Sequence, residues 1–140
     1  MSGERVNAMK ERAGVFLELA SELADRGRLD IASFSVQQAC QLRVKASLLR
    51  LTGEMPRIHS IRELLGILAK RMEEIGHRDE AEKITGFVRE SRGVLVDIEA
   101  AYTESRYGLA VATESVVREM LRVADCLFRL LEEVENSVLG

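Results

Sequence analysis

Apolar residues along this chain return every three or four positions, and no stretch alternates residue by residue as a half-buried strand does. Punctuating residues divide the pattern into five runs. The first covers roughly residues 4–26, with Val6, Met9, Ala13, Phe16, Leu17, Ala20, Leu23 and Ala24 as its stripe and Gly27 as its stop. The second covers roughly 31–51, with Asp30 placed to cap it. The third follows Ser60, which forms a capping-box pattern with Glu63, and carries Ile61, Leu64, Leu65, Leu68, Met72 and Ile75 as far as Gly76. The fourth, roughly 80–101 after Asp79, turns Ile84, Phe87, Val88, Leu95 and Ile98 inward. Gly86 and Gly93 weaken it by about 1 kcal/mol each relative to Ala, which suggests close approach of another helix. Residues 102–112 break the pattern. Thr113 then caps a fifth run, from Glu114 to about Asn136, whose core face is Val117, Met120, Leu121, Ala124, Leu127, Phe128, Leu131 and Val134. The spacing predicts an all-α fold: a mostly antiparallel up-and-down helical bundle, four long helices plus one shorter, in a single domain over residues 1–140.

The second run is the least ordinary. Ile31, Phe34, Gln38, Leu42, Lys45 and Leu49 share one face, and two of them are polar. A buried amide needs partners and a buried ammonium needs an anion. This face therefore either satisfies an internal polar network or meets a ligand. A second stripe, Cys40, Val44, Leu48 and Leu51, leaves only Arg43, Ser47 and Arg50 as a plainly polar strip. The fifth run has a similar excess in Val123, Cys126 and Leu130. Left open, the two excesses would make an apolar patch that soluble monomers rarely keep, so a homodimer is expected. The competing explanation is that the third and fourth helices cover the stripe within one chain.

Composition adds three constraints. The chain is long enough to bury a core without staples. Cys40 and Cys126 lie inside helical patterns, as free thiols of a reducing, cytoplasmic compartment do. No run is long and apolar enough for a membrane span or leader, so no membrane partner is expected. Net charge is −3 but uneven: residues 43–71 hold seven basic and two acidic residues, while 72–140 hold eight basic and fifteen acidic. The whole is a poor non-specific nucleic-acid binder, yet its middle third offers a local anion surface.

Phe34, Gln37, Gln38, Ala39, Lys45, Ala46 and Leu48 together resemble the second helix of HEPN domains (higher eukaryotes and prokaryotes nucleotide-binding). His59-Ser60-Ile61 with Leu64-Leu65 is similar to that family's entry to its third helix. Tyr102 and Ser105-Arg106-Tyr107-Gly108 resemble its Y-x-x-x-R-Y-P turn, with Gly108 where Pro is usual. The three pieces stand in the family's order over most of the chain.

The resemblance implies a metal-independent ribonuclease in many members, through an R-x(4–6)-H motif near the turn into the last core helix. Imidazole would move protons there while guanidinium steadies the phosphate. Here Arg106 stands in the matching place, and Val111, Ala112 and Thr113 stand where His would fall. Arg71 to His77 fits the spacing but lies at the end of the third helix, too early. No zinc spacing, Walker loop or nucleophile elbow is present, so neither metal nor cofactor is expected. What remains is a binding constellation. Lys45 and Arg106 can take phosphate charge, Gln38 a base or ribose edge, and Tyr107 a stack, with His59 at a helix N-terminus. The same residues also admit a bland reading, as caps, ion pairs and wet core tyrosines. The resemblance further implies a separately encoded minimal nucleotidyltransferase as partner, in a toxin–antitoxin-like two-protein system. The expectation is a protein that acts by binding nucleotide or RNA phosphate. A ribonuclease with unusual acid–base residues and a ligand-free structural adaptor are the alternatives.

Overall fold

The computed structural model describes residues 2–107 and 112–140, together with the side chains of these residues except those of Ser2 and residues 104–107. Its helices are α1 (Ser2–Asp25), α2 (Leu29–Thr52), α3 (Ile61–Glu74), α4 (Arg78–Tyr107) and α5 (Glu114–Leu139), and no strand occurs among the described residues. The five runs of the sequence are therefore five helices. Ser60 caps α3 by accepting from the Glu63 N–H, and Thr113 caps α5 by accepting from the Val116 N–H. Gly53 closes α2 at φ 78°, a left-handed conformation that residues with a Cβ adopt reluctantly.

Three boundaries differ from expectation. Asp30 does not cap α2, which begins two residues earlier, after Arg28. Its carboxylate instead accepts the Ala112 N–H at 3.2 Å, tying the start of α2 to the approach to α5. Asp79 lies inside the first turn of α4, where an acid suits the helix dipole. The same helix continues through residues 102–107, since no Gly or Pro intervenes before Gly108. Nor do the glycines of α4 mark a close approach. A Cβ at Gly93 would meet nothing within 4 Å, and one at Gly86 only Arg89 of the same helix.

Helix α2 packs against all four other helices. Early α1 meets late α2 through Val6, Met9 and Ala46, while late α1 meets early α2 through Ala24 and Ala32, so the pair is antiparallel. Helix α5, by contrast, runs parallel to α2: Val117 lies by Ala32, and Glu135 bonds Ser47. The loop from Gly53 to Ser60 explains how strict alternation is lost. It brings His59 back to Gln41, three turns before the end of α2. Helix α3 thus does not start where α2 stopped.

The stripe offered as a dimer interface is the centre of the core. Cys40, Val44 and Leu48 are fully buried within one chain, clustered with Leu64, Leu68, Ile84, Leu95, Ile98 and Leu127. Val123 is buried in the same cluster, and Leu51 and Leu130 pack against it. The intrachain alternative holds for the centre of the stripe: Cys40, Val44, Leu48 and Val123 are not open to a second copy, while Leu51, Cys126 and Leu130 are half-buried. Of the strip read as polar surface only Arg50 stays exposed. Arg43 and Ser47 are covered, and both reach Glu135 of α5, at 2.9 and 2.7 Å. Lys10 of α1 stands 2.7 Å from the other oxygen of Glu135, and Arg43 also reaches Glu132 at 3.0 Å. Two cations and two anions thus close a neutral cluster between α1, α2 and α5. Burial alone would raise the Glu135 carboxyl. Lys10, Ser47 and Arg43 outweigh it and hold the group below the ordinary carboxylate range.

Removing one partner from such a cluster strands a buried charge, which costs about 3–5 kcal/mol. Glu135→Ala should lose that much stability in urea denaturation at neutral pH. The folded carboxyl titrates below its unfolded value of about 4.3, so its stabilisation is complete above that pH and drains away as pH falls through the folded value. Glu135→Gln should flatten this acid limb, measured as the pH dependence of the denaturation midpoint.

Candidate functional site

The outward face of α2 carries Phe34, Gln38, Gln41 and Lys45 at helical spacing, all half-buried. Gln37 lies beneath them, fully buried. An amide so placed must satisfy both its ends. It does so along its own helix: Gln38 Nε2 donates to Gln37 Oε1, and Gln37 Nε2 donates to Gln41 Oε1, each at 2.6 Å. Gln41 Oε1 also lies 3.4 Å from His59 Nδ1. An amide oxygen only accepts, so the ring donates through Nδ1, and in the neutral imidazole Nε2 remains an acceptor. The His59 ring stacks on Tyr102 of α4, centroids 4.5 Å apart and planes 21° apart. Two amides, an imidazole and a phenol thus line one surface over the buried Gln37, drawn from α2, the loop after it and the end of α4.

Lys45 stands one turn beyond Gln41 on this face. Among the described residues no carboxylate pairs with it, and partial burial pulls its pKa down. Three of the other basic residues of the middle third are neutralised, while Arg50 and Lys70 are exposed. Arg43 is consumed by Glu135 and Glu132, Arg62 forms a two-pronged pair with Glu99, and Arg71 pairs with Glu54 and Glu74. Arg57 stays exposed two residues before His59. The anion surface expected from seven basic residues therefore narrows, and Lys45 is its half-buried member.

Of the five site residues read from the sequence, the structure places Gln38, Lys45 and His59 around one face of α2. Gln38 is tied to Gln37 of its own helix, not to a neighbouring one. Arg106 and Tyr107 belong to the last turn of α4, and their side chains lie outside the described residues. Sequence reasoning did not single out Gln41, which joins the amides to the imidazole. The signal was available, because Gln41 sits at i+3 from Gln38 and i+4 from Gln37. Tyr102 had been noticed for the resemblance but not as a stacking partner. Arg71 and His77 hold no shared site: Arg71 serves two carboxylates, while His77 lies 3.8 Å from Glu80. Among the described residues no three His, Cys, Asp or Glu side chains are grouped to hold a metal ion.

The family model for the HEPN domain matches residues 6–134. The chain belongs to the HEPN family. No curated protein matches it individually. Membership puts this HEPN domain in a family of nucleotide-binding or ribonuclease type. It also gives the α2 motif a physical division. Gln37, Ala39, Ala46 and Leu48 are buried and serve packing, whereas Phe34, Gln38 and Lys45 are half-exposed and shape the surface.

The amide chain makes a specific demand on Gln37. Gln37→Ala removes a buried donor and acceptor together and strands parts of Gln38 and Gln41. Its expected cost is about 1–3 kcal/mol. Gln38→Ala, at the wet end, should cost clearly less, and chemical denaturation of the two variants side by side checks the order.

Proposed function

We propose that this HEPN domain acts by binding the phosphate of a nucleotide or RNA on the Gln38–Gln41–Lys45–His59 face. The observation that carries the reading is Lys45: a half-buried ammonium without a carboxylate among the described residues. Every other buried or half-buried cation named above has an acid beside it. A desolvated, unpaired ammonium favours an incoming anion, and the anion recovers what desolvation cost. The stacked His59 and Tyr102 rings supply the flat, partly apolar edge that a base or ribose needs next to a phosphate. Gln38 adds an amide oxygen to the same surface. Arg106 and Tyr107 join this reading through the family motif. In keeping with the family resemblance, the proposed setting is a two-protein, toxin–antitoxin-like system. A separately encoded minimal nucleotidyltransferase would be the partner, and this chain would bind the substrate or be the modified member.

Calorimetry with adenosine triphosphate, and separately with a short single-stranded RNA, should give saturable binding that weakens with salt. Lys45→Ala should lose about 1–3 kcal/mol, the range of a charge-assisted hydrogen bond. Equal affinity in the variant would return Lys45 to a structural role.

The second expectation concerns turnover. With no His following Arg106 at the family's spacing, the purified protein should not cleave RNA above background. Cleavage that survives stringent purification and disappears in Arg106→Ala or His59→Ala would make the ribonuclease reading the correct one.

A further inference from the structure

Helices α3 and α4 form a hairpin through Gly76, tied at its open end by Arg62 on Glu99. Along its surface runs a groove of about 350 Å³. The floor is aliphatic: Leu65 and Ile84 are fully buried, and Ala69 and Val88 are half-buried. The rim is cationic. Arg62, Arg89 and Arg92 line it, and no acid among the described residues does. Arg62 is spent on Glu99, but Arg89 and Arg92 are exposed, and among the described residues neither forms an ion pair. They stand three residues apart on one helix, where like charges repel, in a part of the chain where acids outnumber bases. Gly66 adds a second anomaly. It lies mid-helix, where only proline is less favourable, and its φ is not left-handed. A Cβ there would meet nothing within 4 Å, so packing within the chain does not require the glycine. Its absent side chain instead keeps the middle of the groove open.

We propose that this groove docks an acidic amphipathic helix of a partner protein. Apolar side chains at three- and four-residue spacing would lie on Leu65, Ala69 and Val88, and Gly66 would let the incoming helix come close. Carboxylates on the flank of that helix would meet Arg89 and Arg92, whose aliphatic stems extend the apolar wall. The groove matches other occupants only in part. A single-stranded nucleic acid has phosphates for the arginines, but no aromatic side chain lines the groove for its bases to stack on. Two copies of the chain meeting by this face about a two-fold axis would bring guanidinium onto guanidinium. The surface belongs to α3 and α4 and does not include Lys45, so the proposal does not rest on the phosphate reading.

Fluorescence anisotropy with the full chain is the test. The probe is a labelled peptide of about 20 residues, with leucine at every third and fourth position and glutamate elsewhere. It should bind saturably and weaken as salt is raised. A shuffled peptide of the same composition, without an apolar face, should not bind. Arg89→Glu combined with Arg92→Glu should weaken the acidic peptide by about tenfold or more, since rim attraction turns to repulsion. Gly66→Leu puts a good helix former into the groove. It should block the peptide while helical circular dichroism is kept and the denaturation midpoint holds or rises. Heat released with adenosine triphosphate should not change in either variant, which separates a failure here from a failure at Lys45. Absence of saturable binding, equal binding of the shuffled peptide, or an affinity unmoved by Gly66→Leu would overturn the proposal. So would single-stranded RNA binding that the two arginine changes abolish, or self-association that Gly66→Leu abolishes, because each would give the groove to a different occupant.

Discussion

The bundle is arranged around a carboxylate that sits where a side chain of its kind is costly to keep. Glu135 lies almost without solvent between α1, α2 and α5, and the desolvation of its charge has to be offset by groups from the other two helices. Arg43 and Ser47 come from α2 and Lys10 from α1. Apolar packing among Leu, Ile and Val tolerates sliding by a turn. A carboxylate with three named partners does not. The cluster fixes the rotation and register of α5 on α2, and with them a parallel pairing that up-and-down connectivity would not produce. The loop that doubles back from Gly53 to Ser60 is the topological counterpart of that choice.

The same helix serves two duties on two sides. The inner side of α2 is apolar and tightly covered, and its flank toward α5 is ionic. Its outer side is an amide chain that stops short of saturating its own surface. Gln37 is bonded at both ends, Gln38 and Gln41 are anchored through it, and Lys45 is left without a counter-charge among the described residues. The rings of His59 and Tyr102 are brought to this side by elements far apart in sequence.

Much of this was visible in the order of residues. Helical periodicity located all five elements, and Ser60 and Thr113 marked their helices because an N-cap is a local event. Asp30 and Asp79 had the right chemistry for caps, yet the helices started before them. The harder errors concerned which side of α2 faces in. Arg43 and Ser47 looked like a solvent strip because their neutralising partner lies on α5, a long way along the chain. The hint was on α5 itself, where Glu135 interrupts the apolar face of Leu127, Leu131 and Val134. The stripe of Cys40, Val44 and Leu48 looked surplus because periodicity cannot count how many neighbours a helix will have. At the site, Gln38 and Lys45 stood out as polar residues on an apolar face. Gln41 and the His59–Tyr102 stack depend on the returning loop, which periodicity does not describe.

The two thiols are placed in unlike surroundings, and this gives the protein a built-in chemical readout. Cys40 is fully enclosed by the α2 core, and burial pushes its pKa up to about 12. Cys126 on α5 is only half-buried. A thiolate-seeking reagent therefore meets one reactive sulfur in the folded chain and two once the core opens. Counting labels per molecule, without any engineered probe, separates fraying at the surface of α5 from the opening of the centre of the bundle.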